Sequence, residues 1–97
     1  MKNCILRGKL LKLLSEQYPD GLERVTLISI YYQFDKVEDI EKSLAYLCDK
    51  GFVQKKEHPN IYNETKKIIY YKITPEGIDL VEGTSKQEPG IVIPQEV

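Results

Sequence analysis

The apolar period of this chain changes at Gly51, and that change narrows what it can fold into. Before it, Val37, Ile40, Leu44 and Leu47 recur at helical spacing, which predicts a helix over residues 36 to 50 with one apolar face. Asp35 is placed to cap its N terminus, and Glu38, three residues on, completes a capping-box pair. Lys50 falls in the last turn, and Gly51 supplies the left-handed residue that ends the helix. From Phe52 the period becomes two. The return strand, Ile68 to Ile73, is rich in β-branched and aromatic residues. Between the strands, His58-Pro59-Asn60 and Asn63-Glu64 are turn formers, so the spacing predicts a loop longer than a two-residue hairpin turn. Thr74-Pro75 then opens another helix as N-cap and N1 proline, and Gly83 closes it.

The front half supplies more helix. Asn3 is placed to cap a helix whose apolar positions are Leu6, Leu10, Leu13 and Leu14, ending near Tyr18. Pro19-Asp20-Gly21 stops it. Val25 to Phe34 reads two ways: its β-branched residues favour a strand, whereas Leu27, Ile30, Tyr31 and Phe34 suit a helix. Helix is preferred, because three helices before a hairpin close one core and an isolated strand has no evident partner. The expected fold is therefore α+β, with three helices, a β-hairpin and a short fourth helix in one domain over residues 1–83. Residues 84–97 are expected as an extended tail. Its Ile91, Val92 and Ile93 are apolar enough to dock on the domain or on a second subunit, and Pro94 argues against an internal strand. The leucines from Leu10 to Leu14 exceed what one face of a short helix needs, which suggests a homodimer.

Composition excludes several classes. The chain has 97 residues, 41% hydrophobic and 30% charged, as in one globular domain. No apolar run reaches the roughly 18 residues of a membrane span. Arg7 and Lys9 interrupt any signal-peptide core, so a cytoplasmic location is expected. Cys4 and Cys48 lack metal-ligand spacing and read as buried, reduced thiols. The single histidine, His58, lies in the expected loop and reads as solvated. No glycine-rich phosphate loop and no ligand-spaced cluster of histidine, cysteine or carboxylate is present, so neither an enzyme nor a metal or cofactor site is expected.

Charge is unevenly placed. Met1 to Lys12 carries Lys2, Arg7, Lys9 and Lys12 without an acid, for +4. Gln54 to Lys72 carries Lys55, Lys56, Lys66, Lys67 and Lys72 against Glu57 and Glu64, for +3. The helix over 35–50 is the opposite: Asp35, Glu38, Asp39, Glu41 and Asp49 outweigh Lys36, Lys42 and Lys50, for −2. The whole chain is at −1 with a pI near 5.8, short of the global basicity of a strong nonspecific nucleic-acid binder.

The stretch LAYLCDKGFV, Leu44 to Val53, followed by a hairpin and ITPEGIDLVEG, Ile73 to Gly83, resembles the winged-helix transcription regulators. In those, a leucine-aromatic-leucine helix precedes a glycine, then the β-wing, then a Thr-x-x-Gly helix start, matched here by Thr74 and Gly77. Over nearly its full length the chain also resembles a family of small winged-helix proteins of Mu-like phages and prophages. There the last helix is followed by a glycine and a Pro-Gly-aliphatic tail, matched by Gly83 and Pro89-Gly90-Ile91. The resemblance implies a winged helix-turn-helix that binds double-stranded DNA as a transcription regulator, with the third helix in the major groove. It places Lys36, Asp39, Lys42, Ser43 and Tyr46 on the groove side of that helix, and Lys55, Lys56, Lys66 and Lys67 on the phosphates through the wing. Tyr46 stands where the phage family tends to have tryptophan, so packing and base contact are both open to it. The wing lysines read equally as a solvated face. The acidic run departs from an ordinary recognition helix, since carboxylates accept from cytosine N4 but repel phosphate. The alternative is an interaction module that holds a protein partner through the acidic helix or the apolar tail.

Overall fold

The computed structural model describes residues 2–84 and 86–94. Of the tail expected over 84–97, Ser85 and residues 95–97 lie outside the described residues, as does Met1. Among the described residues the architecture is α+β: four helices and a three-stranded antiparallel sheet. In chain order it runs α1 (Lys2–Gln17), β1 (Leu22–Glu23), α2 (Arg24–Tyr31), α3 (Val37–Asp49), β2 (Val53–Asn60), β3 (Asn63–Ile73) and α4 (Pro75–Glu82).

The core is a leucine seam. Leu6, Leu10, Leu11 and Leu14 of α1 meet Leu27 of α2, Ile40, Leu44 and Leu47 of α3, and Val53, Tyr71 and Ile73 of the sheet. A fully buried leucine contributes about 2 kcal/mol through removal of its surface from water. Leu10, Leu11 and Leu14 are all spent inside this core, and Leu13 packs half-buried against it. The leucine run therefore has a use within one chain and does not itself call for a second subunit.

Helix ends follow local chemistry where a side chain is free to act. The hydroxyl of Thr74 accepts from the Gly77 N–H at 3.2 Å and donates to the Gly51 carbonyl at 2.7 Å, so it caps α4 and ties that helix to the end of α3. Gly51 and Gly83 have φ of 83° and 79°, the left-handed conformation expected at both helix ends. The start of α3 differs from expectation. Its N-cap is Lys36, in extended conformation and without a side-chain cap, since a lysine side chain offers no acceptor, and the Asp35 N–H is bonded to the Tyr31 carbonyl at 2.9 Å. That bond holds Asp35 in the turn ending α2, one residue short of the capping position. Glu38 is then free of any capping box and pairs with Lys42 at 2.9 Å. Helix α1 starts at Lys2, so Asn3 lies inside its first turn and not at its cap.

Two features of the sheet also differ. Leu22–Glu23 forms a short strand, with Leu22 opposite Tyr71 and Glu23 opposite Tyr70, so the segment before α2 does have a strand partner. The hairpin closes through only Ile61 and Tyr62, not a long loop. Asn60 and Asn63 make the tight closure possible. The Asn60 side-chain carbonyl accepts from the Tyr62 N–H at 2.9 Å, and that of Asn63 accepts from the Thr65 N–H and hydroxyl at 3.1 and 2.7 Å. A register shift between Pro59 and Asn60 absorbs the proline.

The tail lies on α1. Ile91 is 6% exposed within the core, the Val92 N–H donates to the Cys4 carbonyl at 3.0 Å, and Lys50 pairs with Glu88 at 3.6 Å. Gly8 permits this approach, since a Cβ there would collide with the Val92 carbonyl. Cys4 and Cys48 are half-buried thiols. No helix among the described residues is long and apolar enough to cross a membrane.

Candidate nucleic-acid interface

Helix α3 sorts its residues by period. Ile40, Ser43, Leu44 and Leu47 form the buried stripe, spaced three, four and seven from the first. Ser43 is 1% exposed, so its hydroxyl lies in the core, away from any groove-facing surface. Val37, expected on the apolar face, is exposed in the first turn. The outward stripe is Glu38, Lys42, Ala45 and Asp49, and Lys36 is exposed just before it, with Asp39 half-buried at its side.

Two of the four acids of α3, Glu38 and Glu41, are answered by ion pairs within the chain. Glu38 and Lys42 share an exposed ion pair at (i, i+4). The hydrogen bond from Lys42, with its charge, lowers the Glu38 carboxyl below its ordinary pKa, and Glu38 raises the ammonium of Lys42 in return. Glu41 pairs with the Arg24 guanidinium of α2. Half of the acidic charge of α3 is thus balanced between and along helices, and Asp39 and Asp49 take no part in these pairs.

Tyr46 faces the tail. The Arg7 guanidinium lies over its ring with 3.6 Å to the centroid, and Lys50 approaches the same ring at 5.8 Å. Arg7 also donates to the Gly90 carbonyl at 3.1 Å. The ring, the guanidinium and the tail backbone form one stacked unit, which gives Tyr46 a packing role. Of the five helix residues expected on the groove side, the structure leaves Lys36, Lys42 and in part Asp39 on open surface.

The hairpin presents the four lysines more freely. From Gln54 to Pro59 every residue of β2 is exposed, so this part of the ribbon stands clear of the core on both faces. Strand alternation divides the lysines. Lys55 and Lys67 share the face of Val53, Tyr71 and Ile73, whereas Lys56 and Lys66 share the opposite face with His58, Ile68 and Tyr70. Lys67 reaches Glu57 at 3.6 Å, an exposed pair between diagonal neighbours. On the opposite face His58 stacks on Tyr70, with centroids 4.7 Å apart and planes within 14°. His58 is therefore part of a strand and not of a loop, and remains exposed.

Two residues of this surface were not singled out by sequence reasoning. Ile61 and Tyr62, at the hairpin tip, are 84% and 92% exposed. Reading the segment as a long polar loop hides them, because a loop assignment gives no position special exposure. No group of three or more histidine, cysteine, aspartate or glutamate side chains among the described residues is placed to hold a metal ion.

No protein-family model, curated protein or solved structure matches the chain.

Proposed function

We propose that the chain is a small winged-helix DNA-binding regulator that grips double-stranded DNA chiefly through its hairpin. In this reading α1, α2 and α3 are the three helices, β2 and β3 the wing, and α3 lies against the groove. The observation that supports it best is the free-standing hairpin with Lys55 and Lys67 on one face and Lys56 and Lys66 on the other. Cations on both faces of a ribbon suit a groove, which has a phosphate wall on each side. Helix α3 contributes Lys36 and Lys42, and the small side chain of Ala45 lets its backbone come close. Specific contacts from this helix are few, so affinity is carried by phosphate neutralisation and falls steeply with salt. A homodimer on a palindromic site fits the same mode.

The apolar surface at the α2–α3 connection favours a second reading, capture of a protein partner. Ile30, Tyr32, Phe34 and Val37 are all exposed there, Phe34 at 80%. The tail is less suited to that role, since Ile91 is already buried against its own domain.

Anisotropy of a labelled duplex pool, titrated across salt, tests the first reading. Log affinity is expected to fall linearly with log salt, by about 0.9 for each phosphate contact. Replacing Lys55, Lys56, Lys66 or Lys67 singly by glutamine should lower that slope by about one. Glu38→Gln, which releases Lys42, should raise affinity without touching the Arg24–Glu41 bridge. Binding no tighter than that of an acidic control protein, with no salt slope, would sink the DNA reading.

A further inference from the structure

We propose that Ile61 and Tyr62 are an apolar wedge which the hairpin drives between base pairs of duplex DNA from the minor groove, unstacking one step and kinking the helix. The proposal rests on the DNA-binding reading and adds to it a mode of insertion.

The wedge is built and held. Two-residue hairpin turns ordinarily carry asparagine, aspartate or glycine at their centre, residues at ease with water and with unusual backbone angles. Here those centre positions hold a β-branched residue and an aromatic one, almost wholly in solvent. Nothing among the described residues covers them. The turn-forming asparagines flank the tip, and their side chains bond the backbone at Tyr62 and Thr65, so the apolar pair is presented on a pinned turn. Little ordering entropy remains to be lost when it inserts.

The surroundings fit DNA. Pro59, Asn60 and Asn63, which border the tip, are uncharged, one acid, Glu64, follows Asn63 in the sequence, and the lysines begin further back, at Lys66. Four residues at about 3.3 Å each set the Lys66 backbone about 13 Å behind that of Tyr62. A lysine stem leaning forward brings its ammonium toward the phosphate rim when the tip is seated at the base edges of a minor groove about 7.5 Å deep. Cations on both faces of the ribbon meet both walls. Apolar side chains inserted in this way partly unstack a base step, and the bend that follows wraps more protein surface. A lipid headgroup plane fits less well, because it favours cations immediately beside the apolar residues.

The full chain, with a duplex carrying 2-aminopurine at successive steps and a donor–acceptor pair at its ends, provides the test. Wild-type protein should raise 2-aminopurine fluorescence at one step and shorten the end-to-end distance. The double variant Ile61→Ser/Tyr62→Ser should lose both signals and about tenfold or more in affinity, while keeping the salt slope of the wild type. Lys66→Gln/Lys67→Gln should flatten that slope. If the serine variant unstacks and kinks DNA like the wild type, or if the wild type binds without unstacking, the wedge is overturned and the DNA reading stands. If neither protein binds DNA, both fail. Binding to phosphatidylserine-containing vesicles that the serine variant abolishes would then assign the tip to a membrane surface instead.

Discussion

Ser43 shows how far one hydroxyl can depart from its expected place. It lies three residues after Ile40 and one before Leu44, so helical geometry carries it into the buried stripe of α3. Its oxygen has no hydrogen-bond partner among the described residues. A buried, unsatisfied hydroxyl costs about 1–3 kcal/mol, and serine is about 0.5 kcal/mol poorer than alanine in a helix. Ser43→Ala is therefore expected to stabilise the chain by about 1.5–3.5 kcal/mol, read as a higher urea midpoint at unchanged slope. DNA affinity should not change, since the hydroxyl is not on the surface. A loss of stability would mean that the hydroxyl is paired and the burial account wrong. The position was legible in the sequence: the same periodicity that marks Ile40, Leu44 and Leu47 as core marks residue 43 as their neighbour.

At the scale of elements, the helices could be read from the chain because their signals are local. Thr74-Pro75, Gly51 and Gly83 act within a turn of themselves, and each does in the structure what its chemistry dictates. What could not be read depends on distant residues. Leu22–Glu23 is a strand only because Tyr70 and Tyr71 lie alongside, far away in sequence. The hairpin strands run on to Asn60 and Asn63 because each backbone extends the other's ladder, whatever the polarity of the side chains. Asp35 misses its cap because it falls in the turn that ends α2, one residue before the N-cap. The tail is the strongest such case, as its seat depends on Gly8 and Arg7 of α1 and on Tyr46 of α3. Gly8→Ala should lift it. Removing Ile91 from the core is expected to cost about 2 kcal/mol. Exchange of the Val92 amide, which donates to the Cys4 carbonyl, should quicken well before that of the α3 amides. Equal protection of Val92 in the variant and the wild type would show that the tail does not pass over Gly8.

For the whole molecule, pH response follows from which titrating groups the fold has taken out of water. Burial raises the Cys48 thiol above its ordinary value; neighbouring Asp49 adds to the effect and Lys55 opposes it. Burial likewise raises the Tyr31 hydroxyl, helped by Glu16 and Asp35, and the Tyr71 hydroxyl, helped by Cys48 and opposed by Arg24. These groups sit at joints: Tyr31 donates to the Lys9 carbonyl of α1 at 3.2 Å, and Tyr71 pairs with Leu22 on the core face of the sheet. All three have folded pKa values above their unfolded ones, so the folded state holds its protons longer. Their contribution is complete below the unfolded values, about 8.5 for the thiol and about 10 for the phenols, and is lost as pH rises through the folded ones. The melting temperature is therefore expected to decline in two stages on the alkaline side. The first opens above about pH 8.5 and should vanish in Cys48→Ala. The second opens above about pH 10 and should flatten in Tyr31→Phe and Tyr71→Phe. On the acid side the sign reverses for Glu38, whose lowered pKa means that its pairing with Lys42 persists until pH falls through the folded value. That pair is fully exposed, so its loss should leave the melting temperature nearly flat where the alkaline side falls. A melting temperature that rose between pH 9 and 11, or a decline unchanged in the three variants, would show that these side chains are not withdrawn from water as the fold places them, Tyr71 buried and Cys48 and Tyr31 half-buried.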